Sequence, residues 1–158
     1  MNNIKGKVAL ITGGSKGIGF GIAEALLNQG LKVLITSRSQ DSADNASKEL
    51  SSKTNTENQV IGIAADVRSM QHQIDAVERA IEEFGQLDIV IANAGLGHFG
   101  SIEDLTSEQW QQVIDTNLTG AFNSIKASVD ALKNSRGYYI TVSSLAGTNF
   151  FAGGSAYN

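Results

Sequence analysis

Short runs of β-branched and aliphatic residues alternate along this chain with longer stretches of helical periodicity, and no other feature restricts the fold as tightly. Strand, helix, strand in repeated succession is the pattern of βαβ units, whose helices carry the chain back so that the strands lie parallel. Five strands are predicted, at residues 8–12, 32–36, 60–64, 88–92 and 138–142. Their apolar runs are nearly continuous, as expected of strands covered by helices on both faces. Helices are predicted over 17–28, 41–52, 69–84 and 106–133. In the last of these, Thr106 and Gln109 read as a capping box, and Trp110, Val113, Ile114, Leu118 and Phe122 recur at helical spacing as a core stripe. The polar tract 51–58 reads as a surface loop within one domain, because strand–helix alternation continues across it.

Composition narrows the function classes. With 12 Lys and Arg against 16 Asp and Glu, the net charge of −4 offers no broad basic surface, so neither nucleic acid nor anionic lipid is an expected partner. The absence of cysteine removes disulfides, thiolate catalysis and cysteine metal sites. The start Met1-Asn2-Asn3-Ile4-Lys5 has no secretory apolar stretch, and no run of apolar residues is long enough to span a membrane. A cytoplasmic location is the expectation. His72 has no partner at metal-ligand spacing and His98 stands alone in a loop, so no metal is expected.

The first strand runs into Thr12-Gly13-Gly14-Ser15-Lys16-Gly17-Ile18-Gly19 and then a helix, which places a glycine-rich turn at a helix N-terminus. Such a turn can bring backbone N–H groups and the positive end of the helix dipole against a pyrophosphate. It is not a P-loop, since one starting at Gly13 or Gly14 needs Gly-Lys-Ser/Thr five residues on, and those positions are Ile18 and Gly19. It is not a literal G-x-G-x-x-G either, because Ile22 replaces the last glycine. Taken alone, T-G-x-x-x-G-x-G leaves open a tight turn with no ligand.

Four further motifs accompany it in order: Asp66 after the third strand, Asn93-Ala94-Gly95 after the fourth, Asn117 inside the long helix, and Val142-Ser143-Ser144 ending the fifth. Together they resemble the short-chain dehydrogenase/reductase family, and the resemblance covers the whole chain. It implies an α/β fold with a Rossmann-type doubly wound parallel sheet, strand order 3-2-1-4-5, and a dinucleotide across the carboxyl ends of the strands. On this resemblance Gly13, Gly17 and Gly19 shape the pyrophosphate site, Asp66 meets the adenine amino group and Asn93 stabilises the cofactor side of the cleft, with Ser15, Lys16, Ile18, Val67, Ala94 and Gly95 as further cofactor-binding residues. The alternative for Asp66 is a carboxylate that caps a helix.

The end of the second strand bears on cofactor choice. An NAD enzyme usually offers an acid there to the ribose 2′-hydroxyl, but this chain has Thr36-Ser37-Arg38-Ser39 and no acid before Asp41. Arg38 and Lys16 could neutralise a 2′-phosphate, so NADP(H) is expected over NAD(H), with Ser37 and Arg38 as contacts. The alternative is that both cations are ordinary solvated surface charges.

Tyr157 follows Ser144 by 13 positions, which in the resembling family is the spacing of the catalytic serine and tyrosine. The resemblance implies hydride transfer between nicotinamide and a carbonyl or secondary alcohol. Tyr157 would exchange the oxygen's proton, Ser144 would hydrogen-bond that oxygen, and Asn117 would hold a water in the relay. The family's tyrosine is followed by a lysine four positions on, beyond Asn158. The chain is therefore expected to be a single dinucleotide-binding domain, 1–158, incomplete at its C-terminus and impaired in catalysis. Its fifth strand would be an uncovered apolar edge through which copies could associate. Segments 96–99 and 145–154 should border the substrate from opposite rims. The competing readings are a non-catalytic nucleotide-binding protein and a self-associating one.

Overall fold

The computed structural model describes residues 4–158; Met1, Asn2 and Asn3, part of the start read above, lie outside the described residues. Five parallel strands form one sheet in the order β3-β2-β1-β4-β5. They are β1 (Val8–Ile11), β2 (Lys32–Ser37), β3 (Val60–Ala64), β4 (Ile89–Ala92) and β5 (Tyr138–Thr141). Helices α1 (Gly17–Asn28), α2 (Gln40–Thr54) and α3 (Met70–Phe84) link the first four strands, and α4 (Ser107–Val113), a π-helical segment (Ile114–Thr119) and α5 (Gly120–Ser135) lead into β5.

The near-continuous apolar strands divide their side chains between two cores. Val8, Leu10, Leu34 and Val90 pack with Ala76, Val77 and Ala80 of α3 and Leu132 of α5. Ile11, Val33, Ile35 and Ile91 pack with Ala23 and Leu27 of α1 and Ala46 and Leu50 of α2 on the opposite face. Each strand thus feeds both layers with a period of two. Because β1 neighbours β2 on one side and β4 on the other, the connections diverge there and open a crevice at the carboxyl ends.

The long helix departs from the sequence expectation. The capping box forms, with Gln109 N–H donating to Thr106 Oγ1 and the Gln109 amide oxygen accepting from Thr106 N–H. The stripe behind it is not a core stripe. Val113 is buried, but Trp110, Leu118 and Phe122 are 43%, 66% and 58% exposed. The π segment supplies the reason: its wider turn shifts the register, so spacing counted from Trp110 no longer follows the buried face. That face instead carries Gly120, Asn123, Ser124, Ser128 and Leu132. The tract expected as a loop is also partly helical, since α2 continues through Thr54 and ends on Asn55 in the left-handed region.

The two sheet edges are treated differently. On β3 the Gln40 side chain takes the place of a neighbouring strand, donating to Gly62 O at 3.0 Å and accepting from Ala64 N–H at 2.8 Å. On β5 no such cover is present among the described residues, and Tyr138 and Ile140 are exposed.

At the opposite end of the sheet from the crevice, the buried Asp88 carboxylate joins the starts of β1 and β4. It accepts from Lys7 Nζ and Val8 N–H, both at 2.9 Å, and from Gln86 Nε2 at 2.8 Å. Replacing Asp88 by Ala leaves the Val8 N–H without an acceptor, which costs about 1–3 kcal/mol. Urea unfolding should show a lower midpoint for Asp88→Ala with an unchanged slope.

Candidate functional site

The glycine turn after β1 is shaped by what it must approach. Gly13 and Gly17 adopt φ of +65° and +58°, the left-handed region that disfavours a side chain. Gly19 is needed for space, because a Cβ there would run into Asn93 Nδ2 and lie 2.7 Å from Gly13 O. Thr36 at the end of β2 holds the turn from one side, its carbonyl accepting from Gly14 N–H at 3.0 Å and its hydroxyl from Gly13 N–H at 3.4 Å. Ser15 and Ser37 hydroxyls meet at 3.1 Å.

Thr12 and Asn93 lock the turn from the other side. The Thr12 hydroxyl accepts from both Asn93 N–H and Ala94 N–H at 3.0 Å, and Asn93 Nδ2 donates to Thr12 O at 2.9 Å and Gly13 O at 3.2 Å. Thr12 is a residue that motif reading assigns no separate role. Its signal is a hydroxyl at the last buried position of a strand, where an aliphatic residue would leave two N–H groups unpaired.

Helix α1 differs from its neighbours at the crevice. Ser39 and Ser69 cap α2 and α3 with their hydroxyls, whereas Lys16 offers α1 no side-chain cap and its first turn holds no acid. Its leading N–H groups therefore face the crevice without a side-chain acceptor, the arrangement that suits an anion. The side chains of Lys16 and Arg38 are exposed, and among the described residues neither has an ion-pair or hydrogen-bond partner.

Asp66 lies beyond β3 in a turn with Arg68. Its carboxylate receives Arg68 Nε at 3.0 Å on each oxygen, the Arg68 guanidinium a second time through Nη2, and Arg68 N–H at 2.9 Å. The Arg68 hydrogen bonds hold the Asp66 carboxyl below the usual aspartate range, against a smaller opposing effect of burial. Asp66 N–H donates to His72 Nδ1 at 3.2 Å. Val67 N–H has no acceptor among the described residues.

Around the end of β4 the chain encloses a cavity of about 420 Å³ lined by Ile18, Asn93, Ala94, Gly95, Asn117, Ser144 and Tyr157, among others. The structure thus gathers the three candidate catalytic side chains, which lie far apart in sequence, at one site. It does not join them by hydrogen bonds. Asn117 is occupied by Leu96, its Oδ1 accepting from Leu96 N–H at 2.9 Å and its Nδ2 donating to Leu96 O at 2.8 Å. Ser144 Oγ accepts from Ala146 N–H at 3.2 Å at the start of a 3-10 turn. The Tyr157 ring packs edge-on against Phe99 at 5.5 Å, and Phe99 packs against Phe151 at 5.9 Å.

A backbone hydrogen bond also ties the two rims together, with Gly100 N–H donating to Gly153 O at 2.9 Å. His98 turns toward α4 and meets Gln112 Oε1 at 2.9 Å. The remaining predicted cofactor residues stand apart from the cavity, along the ends of β1, β2 and β3. The candidate set therefore follows a continuous line from Arg38 and Asp66, past the glycine turn, to Asn93 and Ser144.

A parallel sheet with a glycine turn at its topological switch point defines a Rossmann-type nucleotide-binding fold. Residues 7–158 match the family model described as short chain dehydrogenase, and the chain belongs to that family. It is 34% identical over 154 residues to trans-4-hydroxycyclohexanecarboxylate dehydrogenase of Sinomonas cyclohexanicum, covering 96% of this chain and 60% of that protein. An alcohol dehydrogenase from the archaeon Thermococcus sibiricus, solved with 5-hydroxy-NADP, superposes with a TM-score of 0.89 at 34% identity, covering 96% of this chain and 63% of that one. An NAD+-bound xylitol dehydrogenase superposes with a TM-score of 0.91 at 26% identity, covering 99% of this chain and 60% of that one. The chain thus spans less than two thirds of the length of these relatives. No helix among the described residues is long and apolar enough to cross a membrane.

The Asp66–Arg68 pair yields a pH test. A carboxylate whose folded pKa is depressed contributes stability above its ordinary value of about 3.9 and loses it as pH falls through the folded pKa. Arg68→Gln should move the folded-state Asp66 titration upward, so that the contribution is smaller and its loss is complete at a higher pH. Carboxyl-carbon NMR titration of the two proteins measures the shift directly, and an unmoved Asp66 curve would show that Arg68 does not set it.

Proposed function

We propose that residues 1–158 form one dinucleotide-binding domain that takes NADP(H) in preference to NAD(H), in an oxidoreductase acting on a small carbonyl compound or secondary alcohol. The observation that carries the cofactor choice is the pair of unpartnered cations at the mouth of the crevice, Lys16 and Arg38, with no acid at the end of β2. A 2′-phosphate placed there would find a guanidinium able to donate two parallel hydrogen bonds and an uncapped helix end nearby. The relative solved with 5-hydroxy-NADP supports the same reading, and the NAD+-bound relative supports the alternative.

The residues fit the rest of a dinucleotide. Gly13, Gly17 and Gly19 keep side chains out of the path of a pyrophosphate, and the first-turn N–H groups of α1, including Ile18, supply donors. At the adenine end an accepting carboxylate, Asp66, stands beside an unused donor, the Val67 N–H; adenine presents the complementary amine and ring nitrogen. Asn93 and its neighbours Ala94 and Gly95 form the wall against which a nicotinamide ring would lie. When bound, the nicotinamide exchanges a hydride with the carbonyl carbon. Ser144 then donates a hydrogen bond to the carbonyl oxygen and Tyr157 exchanges its proton, both from the walls of one cavity. Asn117 contributes by fixing Leu96 through two hydrogen bonds, which holds the loop that carries Gly95.

Arg38→Asp tests the cofactor assignment. Loss of charge-assisted hydrogen bonds worth about 1.5–3 kcal/mol corresponds to roughly a ten- to hundredfold fall in NADPH affinity relative to NADH. Fluorescence titration of wild type and variant with both reduced cofactors gives the ratio directly. An unchanged ratio would assign Arg38 to the solvated surface, and tighter NADH binding by the wild type would favour the NAD reading.

A further inference from the structure

Helices α3 and α5 meet across a seam that is polar where their periodicity calls for apolar residues. Gln73 shares the buried face of α3 with Ala76, Val77 and Ala80 and is only 2% exposed. Opposite it, Asn123 and Ser124 of α5 are 6% and 3% exposed. An aliphatic pair would fill this space without the desolvation cost of buried amides, so the hydrogen bonds themselves need a reason.

Their destinations supply one. Gln73 Nε2 donates to Asp66 O at 3.3 Å, and Asn123 Nδ2 donates to Val67 O at 3.0 Å. Ser124 Oγ, 3.1 Å from Gln73 Oε1 and 2.8 Å from Gly120 O, braces the Gln73 amide. Two amides from two helices therefore end on successive carbonyls of one turn. The same turn is tied by Ser69 N–H to Asp66 O at 3.0 Å and by Asp66 N–H to His72. Gly120 brings α5 against it so closely that a Cβ would lie 2.6 Å from Val67 Cγ2.

We propose that Gln73 and Asn123 are positioning residues for the adenine end of the bound dinucleotide, holding the Asp66–Val67 turn from its buried side. The proposal rests on the assignment of Asp66 and Val67 to the adenine. The geometry carries a further consequence. The helical run that delivers Asn123 to Val67 also delivers Asn117 to Leu96, so one rigid element sets the spacing between the adenine wall and the nicotinamide wall.

The test compares ligand halves. Gln73→Leu combined with Ser124→Ala removes both side chains of the buried pair while Asp66 O keeps its bond from Ser69 N–H, a change that is close to neutral for stability, whereas Asn123→Leu also leaves the buried Val67 carbonyl without its donor and is expected to lower the melting temperature. Calorimetric or NMR titrations with 5′-AMP and with nicotinamide mononucleotide, alongside thermal melts, separate positioning from bulk stability. Positioning predicts AMP affinity lowered about five- to tenfold in either variant, the change expected for one misplaced hydrogen bond, with mononucleotide affinity unchanged. Equal losses for both ligands, or a lower melting temperature with AMP affinity intact, would overturn it. Should one variant fail to fold, the other carries the comparison. Asp66→Ala distinguishes the underlying assignment: if it leaves AMP affinity unaltered, or if the wild type binds no AMP, both readings fall. If Asp66→Ala weakens AMP while both seam variants do not, only the positioning role falls.

Discussion

Everything at the crevice depends on the lock between Thr12 and Asn93. Strands β1 and β4 end side by side, and the loops that leave them diverge into the glycine turn and the Asn93-Ala94-Gly95 segment. Four hydrogen bonds between these loops run through one buried hydroxyl, one carboxamide and the adjacent backbone. The lock sets how far apart the walls can stand, and it explains the glycine at position 19, where a side chain would enter the space of the Asn93 carboxamide. Without it the crevice of a parallel sheet is only a gap between connections.

The same economy recurs along the rest of the cleft. Each wall is fixed by side-chain amides that bond to backbone: Asn93 to Thr12 and Gly13, Asn117 to Leu96, Asn123 to Val67, Gln73 to Asp66, and Gln40 to the edge of β3. An amide that both donates and accepts can satisfy loop carbonyls and N–H groups that the sheet ladder leaves over. The buried side of each loop is thereby saturated. What faces the crevice is left available: the first turn of α1, the Val67 N–H, and the cations of Lys16 and Arg38. That contrast between a saturated back and an unsatisfied front suits a polar, anionic ligand.

Much of this was legible from residue order because strands buried on both faces must be apolar throughout. Helix α1 and strand β3 fall where the pattern puts them, and the Thr106–Gln109 box starts α4 as expected. The site motifs were legible because glycines, Asn93 and Asp66 occupy the ends of predicted strands, where loops enter the crevice. The middle of the long helix was not, since a π turn shifts the register partway along it and the buried face of α5 carries mostly small or polar residues. Trp110, Leu118 and Phe122 consequently pointed to a core that lies elsewhere. The Asp66–Arg68 pairing and the packing of Tyr157 on Phe99 were equally hidden, because they depend on where loops turn and not on which residues they contain.

The most direct test of this account is backbone amide hydrogen exchange of the protein with and without NADP+. If one dinucleotide lies along the whole line of residues, protection should rise together at three separated segments: the glycine turn from Gly13 to Gly19, the Asp66–Val67 turn, and the loop from Asn93 to Leu96. Protection confined to one of these segments, or absent from all of them at saturating cofactor, would contradict it.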